Sequence, residues 1–343
     1  MIRHQTLALA DLPVQVWQIK ESADAELELI CAWLAETRPD LEHALARYGG
    51  VLLRGFDALR DSASFERALL ACGCVLMDYT GGTSPRKSAG GRVYTATEVP
   101  GSYSIPLHQE MSYIEGSPAR IAFFCERPAA AGGQTTVADM RAVTASIDTS
   151  VAERFVSRGG IQLRRNLPLP QFAQGRPGVP KPWTEVFNTE DESEAERQVL
   201  QRGWRCEWQN DGSMTLWQEV RLATRRHPDT GDDVWFNQVH IFAPAAALAW
   251  ARKDGRVEMV ERLEHALREN PDQVDRFVFA DGEEIADADA LYLYELMERA
   301  AVPVQWERGD LLLLDNILIG HGRRSFEGAR RVLTGLVGGS ADA

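Results

Sequence analysis

The sequence predicts a β-rich protein with helices around it, folded as one domain. Apolar stretches with the two-residue alternation of β-strands recur along the chain, and helical periodicity dominates its first 75 residues. Neither an internal repeat nor a low-complexity linker divides the 343 residues, and large β-barrels and sandwiches reach this length as single domains. We therefore expect one domain over 1–343, with a helical cover over 1–75 and a helical insertion over 243–300.

Composition and charge exclude several classes of protein. The net charge of −13 argues against a nucleic-acid partner, which would require a basic surface. No apolar run approaches the length of a membrane span, and the N-terminus lacks the apolar stretch of a secretory signal. The five cysteines are odd in number and scattered, which is typical of reduced thiols. We expect a cytoplasmic protein with neither a nucleic-acid nor a membrane partner; its oligomeric state, including a homo-oligomer, is left open.

The N-terminal cover is predicted as helices around a first buried strand. Apolar residues at helical spacing indicate a helix within 23–36, and Pro39 begins a second one. Gly49 and Gly50 end that helix, and the apolar segment 51–56 follows as a strand. A third helix is predicted over 65–72.

A segment without core-forming residues follows, over 80–91. It is rich in glycine, serine and proline and carries Arg86 and Lys87. Such a segment is either a lid over a site or a surface loop.

The strand predicted over 105–113 carries the first candidate site residues. Its apolar and polar residues alternate, so His108 and Glu110 are expected to point to the same face. Two histidines and one carboxylate, with open coordination positions, are the ligand set of non-haem Fe(II) oxygenases. The alternative is a half-buried strand whose histidine has an ordinary hydrogen-bond partner.

A second histidine two residues before an acidic residue occurs at His227 and Asp229. Pro228 separates the two, and a Gly/Asp cluster follows, so the segment is predicted as a turn. Side chains in a turn need not share a face. We therefore do not assign this pair to a metal site.

The middle of the chain is predicted to alternate between strands and helices. The strands are expected over 119–125, 204–208, 215–217 and 234–242. The helices are expected over 151–158, 192–202, 244–270 and 290–299.

The C-terminal segment supplies the candidate third ligand. The run 311–316 is apolar enough for a strand buried on both faces, and His321 and Arg331 follow. A histidine leaving one strand and an arginine entering the next can converge on one cavity. The planar guanidinium grips a carboxylate bidentately, as an iron oxygenase with a keto-diacid cosubstrate requires. Arg330 is expected to point to the opposite side, as a solvated charge.

Taken together, these motifs resemble the taurine dioxygenase-like superfamily of Fe(II)/2-oxoglutarate oxygenases. The stretches 94–98 and 107–113 resemble its syringomycin-type subgroup, which is associated with β-hydroxylation of amino acids in nonribosomal peptide biosynthesis. The resemblance extends over nearly the whole chain. It rests on 48–56, His108-x-Glu110, Gly132-Gly133-Gln134-Thr135, Trp235-Phe236-Asn237-Gln238, Gly309-Asp310 and His321 through Arg331.

The resemblance implies a fold, a cofactor and roles for particular residues. The fold is a double-stranded β-helix (jelly roll) with helices packed outside. His108, Glu110 and His321 would bind Fe(II), with 2-oxoglutarate and O2 as cosubstrates. Arg331 would hold the distal carboxylate of 2-oxoglutarate, and Thr135 would add a hydroxyl. Related halogenases lack the carboxylate ligand, so its presence favours hydroxylation.

The function expected from this resemblance is hydroxylation of an amino acid, at Cβ, in nonribosomal peptide (antibiotic) or other secondary-metabolite biosynthesis. The substrate is either tethered to a peptidyl carrier protein or free, and hydroxylation or desaturation of a small metabolite remains an alternative. A non-catalytic jelly-roll binding protein is the alternative from another class, and the complete ligand set counts against it. Arg86, Asn237 and Arg323 are candidate substrate contacts. For a carrier-bound substrate, Arg86 and Lys87 are predicted to dock the carrier protein.

Overall fold

The computed structural model describes residues 2, 4–7, 12–19, 26–79, 86–173, 181–269, 271 and 274–338. Residues 80–85 of the predicted lid lie outside the described residues, and the rest of that segment contains a short strand. Among the described residues, none of the helices has the length and apolar character to cross a membrane.

The strands of the described residues belong mainly to three sheets. In chain order they are β1 (His4–Leu7), β2 (Gln15–Ile19), β3 (Gly50–Arg54), β4 (Leu76–Met77), β5 (Ser88–Gly90), β6 (Val93–Thr95), β7 (Ile105–His108), β8 (Arg120–Arg127), β9 (Ala131–Gly132), β10 (Thr135–Asp139), β11 (Ile161–Leu167), β12 (Arg205–Trp208), β13 (Met214–Trp217), β14 (Thr224–Arg226), β15 (Asp233–Trp235), β16 (Arg276–Phe279), β17 (Val302–Val304), β18 (Leu311–Asp315), β19 (Ile319–Arg323), β20 (Phe326–Glu327) and β21 (Arg331–Val337).

The helices lie before, between and after these strands. In chain order they are α1 (Leu27–Glu36), α2 (Arg38–Tyr48), α3 (Ser62–Ala71), α4 (Met140–Ala145), α5 (Thr149–Ser157), α6 (Pro170–Ala173), α7 (Trp183–Phe187), α8 (Glu192–Gln201), α9 (Val239–Phe242), α10 (Pro244–Lys253), α11 (Val257–Glu269) and α12 (Asp287–Ala300).

Two sheets form the core of the protein. The large sheet has the order β1-β2-β3-β18-β8-β21-β6-β5, with β4 beside β21, and the small sheet has the order β17-β10-β19-β7. Leu107 of the small sheet and Leu312 of the large sheet belong to the same buried apolar cluster. The predicted double-stranded β-helix with surrounding helices is confirmed.

Strand β18 shows why the large sheet is covered on both sides. Leu312 and Leu314 pack in the cluster shared with the small sheet, whereas Leu311 and Leu313 pack against α1, α2 and α3. Successive side chains of a strand point to opposite faces, so a strand buried twice must be apolar throughout. The prediction of a strand buried on both faces is confirmed. The predicted helices of the N-terminal cover are also present, but β1 and β2 were not predicted.

A third sheet, of order β12-β13-β11-β16, lies outside the two core sheets. Strand β11 alternates buried and partly exposed residues along its whole length. The segment 243–300, predicted as helical, contributes β16 to this sheet, where Phe277 pairs with Leu163. That segment is therefore not purely helical, because its apolar run over 276–279 completes a sheet that distant residues begin.

The strand predicted over 234–242 is shorter than expected. Strand β15 ends at Trp235, and helix α9 begins at Val239. The Asn237 side chain accepts a hydrogen bond from the backbone N–H of Val239 at 3.1 Å. A side-chain amide that binds its own backbone two residues later favours a turn over a strand.

Asp310 of the Gly309-Asp310 motif forms an ion pair with Arg54. Arg54 ends β3, and Asp310 precedes the neighbouring strand β18. Asp310 is completely buried, and its carboxylate accepts hydrogen bonds from Arg54 Nε at 3.0 Å and Nη2 at 2.7 Å. It also accepts one from the backbone N–H of Glu307 at 2.8 Å. Such bidentate pairs are the strongest side-chain contacts available to a carboxylate.

We predict that Asp310→Ala lowers the free energy of unfolding by about 3 kcal/mol, because it removes the buried bidentate partner of Arg54 and leaves that cation only the exposed Glu307. Glu28→Ala is the control, since it removes an exposed partner of Arg67 and should cost less than about 1 kcal/mol. Chemical denaturation measures both. If the two variants lost the same free energy of unfolding, the Arg54–Asp310 pair would contribute no more than an exposed ion pair.

Candidate metal centre

The structure brings His108, Glu110 and His321 together. One ligand atom from each lies within 4.8 Å of the others. His108 ends β7 and is the direct cross-strand partner of His321 in β19, with ring centroids 4.4 Å apart. His321 Nε2 lies 3.7 Å from Glu110 Oε2. Glu110 and His321 are buried, and His108 is partly buried.

Glycine on both sides of His321 allows this close approach. A Cβ at Gly322 would lie 2.6 Å from the carbonyl oxygen of Ile105, and one at Gly320 would lie 2.9 Å from the sulfur of Met140. A larger residue at Gly320 would displace Met140 of α4, and one at Gly322 would push β19 away from the β7 backbone. The two imidazoles would then separate.

Glu110 reaches the site for a reason other than the predicted one. Strand β7 ends at His108, so the two ligands do not share a strand face, and Met111 has a positive φ of 53°. The Asn316 side chain instead pairs with the backbone of Glu110. It accepts from the N–H at 2.7 Å and donates to the C=O at 2.9 Å. Asn316 takes the place of a partner strand.

Further buried amides hold the same segment. Gln109 Nε2 donates to the carbonyls of Trp235 at 2.9 Å and Ile317 at 3.0 Å, and Gln238 Nε2 donates to the carbonyl of Gln109 at 2.8 Å. From the sequence, Gln238 was recognised only as part of a motif, and no role was predicted for Gln109 or Asn316. Amides next to strongly apolar stretches were the available signal, because buried amides need partners.

The protonation states suit metal binding. His108 Nδ1 lies 2.9 Å from the carbonyl oxygen of Pro106, which can only accept, so Nδ1 carries the proton and Nε2 is left as a ligand. Burial and the neighbouring His321 lower the pKa of His108 to about 3. Burial alone would raise the pKa of Glu110, but Arg86 and the imidazoles bring it to about 2. A neutral imidazole and a carboxylate therefore face each other. With the second imidazole, the donor set fits Fe(II).

A cavity lies beside the three residues. Its lining includes His108 and His321 together with Thr135 and three arginines, Arg86, Arg323 and Arg330. The hydroxyl of Thr135 accepts a hydrogen bond from Trp306 Nε1 at 3.1 Å. The cavity therefore carries strong positive charge next to a candidate metal centre.

Arg330 lines this cavity and Arg331 does not, so the prediction that Arg331 points into it is wrong by one residue. Arg331 has a side chain 49% exposed, paired with Glu126 at 2.6 Å. Arg330 Nε donates to the carbonyl of Gly133 at 2.9 Å. Val332 packs between the two core sheets and Leu333 on the opposite face, so alternation places Arg330 inside. A bulge between Arg331 and Val332 shifts the register with β8.

The three candidate substrate contacts have different surroundings. Arg323 lines the cavity, but its guanidinium donates to the carbonyls of Val99, Pro100 and Tyr103, so it anchors that loop. Asn237 is not among the residues that line the cavity. Its side chain donates to the carbonyl of Ala223 and accepts from the N–H of Val239, which does not fit its prediction as a substrate contact. Arg86 does line the cavity.

Comparisons with known proteins agree with this geometry. The family model described as "Taurine catabolism dioxygenase TauD, TfdA family" matches residues 10–337. The chain is 30% identical over 297 residues to the dapdiamide synthesis protein DdaC of Enterobacter agglomerans, covering 87% of this chain and 84% of that protein. It is also 30% identical over 300 residues to a clavaminate synthase-like protein of Arabidopsis thaliana, covering 86% and 83%.

Solved structures share the fold at low sequence identity. PvcB, described as an Fe, alpha-ketoglutarate dependent oxygenase from an isonitrile synthetic pathway, superposes with a TM-score of 0.51 at 17% identity, covering 99% of this chain and 92% of that one. An asparagine oxygenase in complex with Fe(II), 2S,3S-3-hydroxyasparagine and succinate has a TM-score of 0.51 at 14% identity, covering 91% and 83%.

We predict that Asn316→Ala weakens metal binding by roughly 10–100-fold, the usual effect of losing a residue that orients a ligand. Asn237→Ala is the matched control, because it also removes a buried asparagine but leaves Glu110 untouched. It should lower thermal stability and keep metal affinity near the wild-type value. Calorimetric titration with Mn(II) measures the affinity. A normal Mn(II) affinity in folded Asn316→Ala would contradict this role.

Proposed function

The chain belongs to the TauD/TfdA family of Fe(II)/2-oxoglutarate-dependent dioxygenases, and from this premise we propose that it hydroxylates an amino acid at Cβ in secondary-metabolite biosynthesis. The observation that carries the proposal is the buried cluster of His108, Glu110 and His321 beside an arginine-lined cavity. The arginines of its lining offer cationic groups for the carboxylates of 2-oxoglutarate and of a substrate. A binding protein without catalysis would not need this ligand set.

The relatives support the class of substrate. DdaC, at 30% identity, is named for the synthesis of dapdiamide. The asparagine oxygenase structure holds a hydroxylated amino acid and succinate, so this fold can accommodate such a molecule beside its metal. We carry the amino-acid class over to this chain as part of the proposal.

In the proposed reaction His108, Glu110 and His321 hold Fe(II). When bound, the iron and 2-oxoglutarate supply the oxidation, in which one atom of O2 enters the substrate C–H bond and the other enters succinate, with release of CO2. The chain positions the two organic molecules and keeps water out of the site. The amides around Glu110 keep the carboxylate ligand in place throughout.

We assign the distal carboxylate of 2-oxoglutarate to Arg330, with Thr135 as an additional hydrogen-bond donor. Burial and the charge of Arg323 lower the pKa of Arg330 to about 10, so it stays cationic at neutral pH. Within the described part of the chain, no carboxylate forms an ion pair with Arg330 or Arg323. Two neighbouring cations, neither of them in an ion pair among the described residues, favour an anionic ligand.

We predict that His108→Ala, Glu110→Ala and His321→Ala each reduce succinate formation to background, because two of three ligands hold the metal poorly. His265→Ala is the control, since His265 lies exposed on α11 and should behave as wild type. Succinate release at saturating Fe(II) and 2-oxoglutarate is the measurement. A variant with near-wild-type turnover would remove that residue from the ligand set.

Arg330 and Arg331 are adjacent arginines, one inside the cavity and one outside, and so form a matched pair. Truncating one partner of a charge-assisted pair costs about 2–5 kcal/mol. Arg330→Ala should therefore raise the apparent 2-oxoglutarate constant by roughly 30-fold or more. Arg331→Ala should leave that constant near wild type, and neither change should alter Fe(II) affinity. Initial rates at varied 2-oxoglutarate concentration measure this constant. If Arg331→Ala raised it and Arg330→Ala did not, Arg331 would be the residue that binds the cosubstrate.

A further inference from the structure

Arg86 is a buried cation in direct contact with the metal centre. Its side chain is only 3% exposed, and Nη2 lies 2.8 Å from Glu110 Oε2. The guanidinium carbon lies 4.9 Å from the centre of the Tyr79 ring. Arg86 lines the same cavity as His108 and His321, so a molecule held beside the metal ligands can reach it.

Two of the three guanidinium nitrogens of Arg86 are buried and donate no hydrogen bond within the described part of the chain. Nε and Nη1 have no hydrogen-bond partner among the described residues. A buried donor left unpaired costs about 1–3 kcal/mol, and more on a charged group. Unsatisfied buried donors on a charged group are rare and need an explanation, such as a ligand. Arg86 lines the cavity next to His108 and His321, so a ligand bound there is a candidate partner for these donors.

The charges of the site also call for a second anion. Glu110 is the ion-pair partner of Arg86, but as a metal ligand it shares its negative charge with Fe(II). The 2-oxoglutarate dianion is assigned to the metal and to Arg330. Arg86, Arg323, Arg330 and the metal together still leave an excess of positive charge. A substrate that brings a carboxylate would neutralise part of it.

We propose that Arg86 binds the carboxylate of the substrate, which is therefore a free amino acid and not an aminoacyl thioester on a carrier protein. The inference rests on the proposed function and names the form of its substrate. A carboxylate accepts charge-assisted hydrogen bonds from the unused N–H groups of Arg86. A thioester carries no charge, so it would offer the same donors only a neutral carbonyl acceptor and would form the weaker hydrogen bond.

The alternative, in which Arg86 and Lys87 dock a carrier protein, loses its support in the structure. Arg86 is buried and cannot meet an acidic protein surface. Lys87 is 75% exposed, but its ammonium group is paired with Glu98 at 2.8 Å. This contact partly neutralises Lys87 and so argues against a docking patch made of Arg86 and Lys87.

The wild-type enzyme, loaded with metal and 2-oxoglutarate, provides the first test. A panel of proteinogenic and common non-proteinogenic L-amino acids is compared with their carboxamides and with their N-acetylcysteamine thioesters. Substrate-dependent succinate formation is measured in air. Binding to the Mn(II)-loaded protein is measured by calorimetry, which does not depend on turnover. For the acid that binds, we expect its amide and thioester to bind at least about 30-fold more weakly.

Comparing Arg86→Met with Lys87→Met shows which residue is responsible for the preference for the acid over its amide. Arg86→Met should bind the acid and its amide with similar affinity, because the difference originates in the removed ion pair. Lys87→Met should keep the full preference, and Arg86→Lys should restore part of it. Since Arg86 contacts Glu110, Mn(II) affinity is measured for each variant. The ratio of the affinities for the acid and for its amide is then compared at saturating Mn(II).

Three outcomes would overturn the proposal, and they are distinct. A wild-type enzyme that binds and oxidises the amide or the thioester as well as the acid would contradict it while leaving the proposed function intact. A folded Arg86→Met variant that still prefers the acid to its amide would show that another residue binds the substrate carboxylate. Failure of every acid, amide and thioester to bind or to be oxidised would overturn the proposed function itself, and this inference with it.

Discussion

The pairing between the Asn316 side chain and the Glu110 backbone is the constraint on which the metal centre depends. Glu110 lies beyond the end of β7 in the small sheet, whereas Asn316 follows β18 in the middle of the large sheet. The amide satisfies both the N–H and the C=O of Glu110, where the backbone ladder no longer can. Both sheets therefore position the carboxylate ligand relative to His321. The metal centre is a product of the packed sandwich and not of one strand.

The cavity beside this centre contains more positive than negative side chains. Burial lowers the pKa values of Arg323 and Arg330 to about 10, which still leaves both cationic at neutral pH. Arg86 is paired with Glu110, whereas Arg323 and Arg330 donate to backbone carbonyls. The cavity thus has three cationic groups, of which one is paired with a carboxylate and two bind backbone carbonyls. Under the proposals made above, Arg330 would bind the distal carboxylate of 2-oxoglutarate and Arg86 that of the substrate.

Much of the fold could be predicted from periodicity, because apolar patterns report burial directly. The run Leu311–Leu314 indicated a strand buried on both faces, and it lies between helices and the second sheet. Prediction failed where pairing is decided by distant residues. Strand β16 forms because β11 offers an edge, and the chain near Asn237 turns into a helix because that side chain binds its own backbone. Neither event leaves a periodic signal in the local sequence.

The sequence by itself determined the chemical inventory of the site: two histidines, one glutamate, a threonine in a Gly-Gly-x-Thr segment and a pair of adjacent arginines near the C-terminus. Residue type and spacing suffice for this, because few residues bind metals or carboxylates. Only the tertiary structure decided that Arg330 and not Arg331 enters the cavity. The strand they begin is apolar on both faces, so its pattern cannot tell inside from outside. Tertiary packing likewise decided that Arg86 is buried against Glu110, since contacts between distant segments are absent from any local pattern.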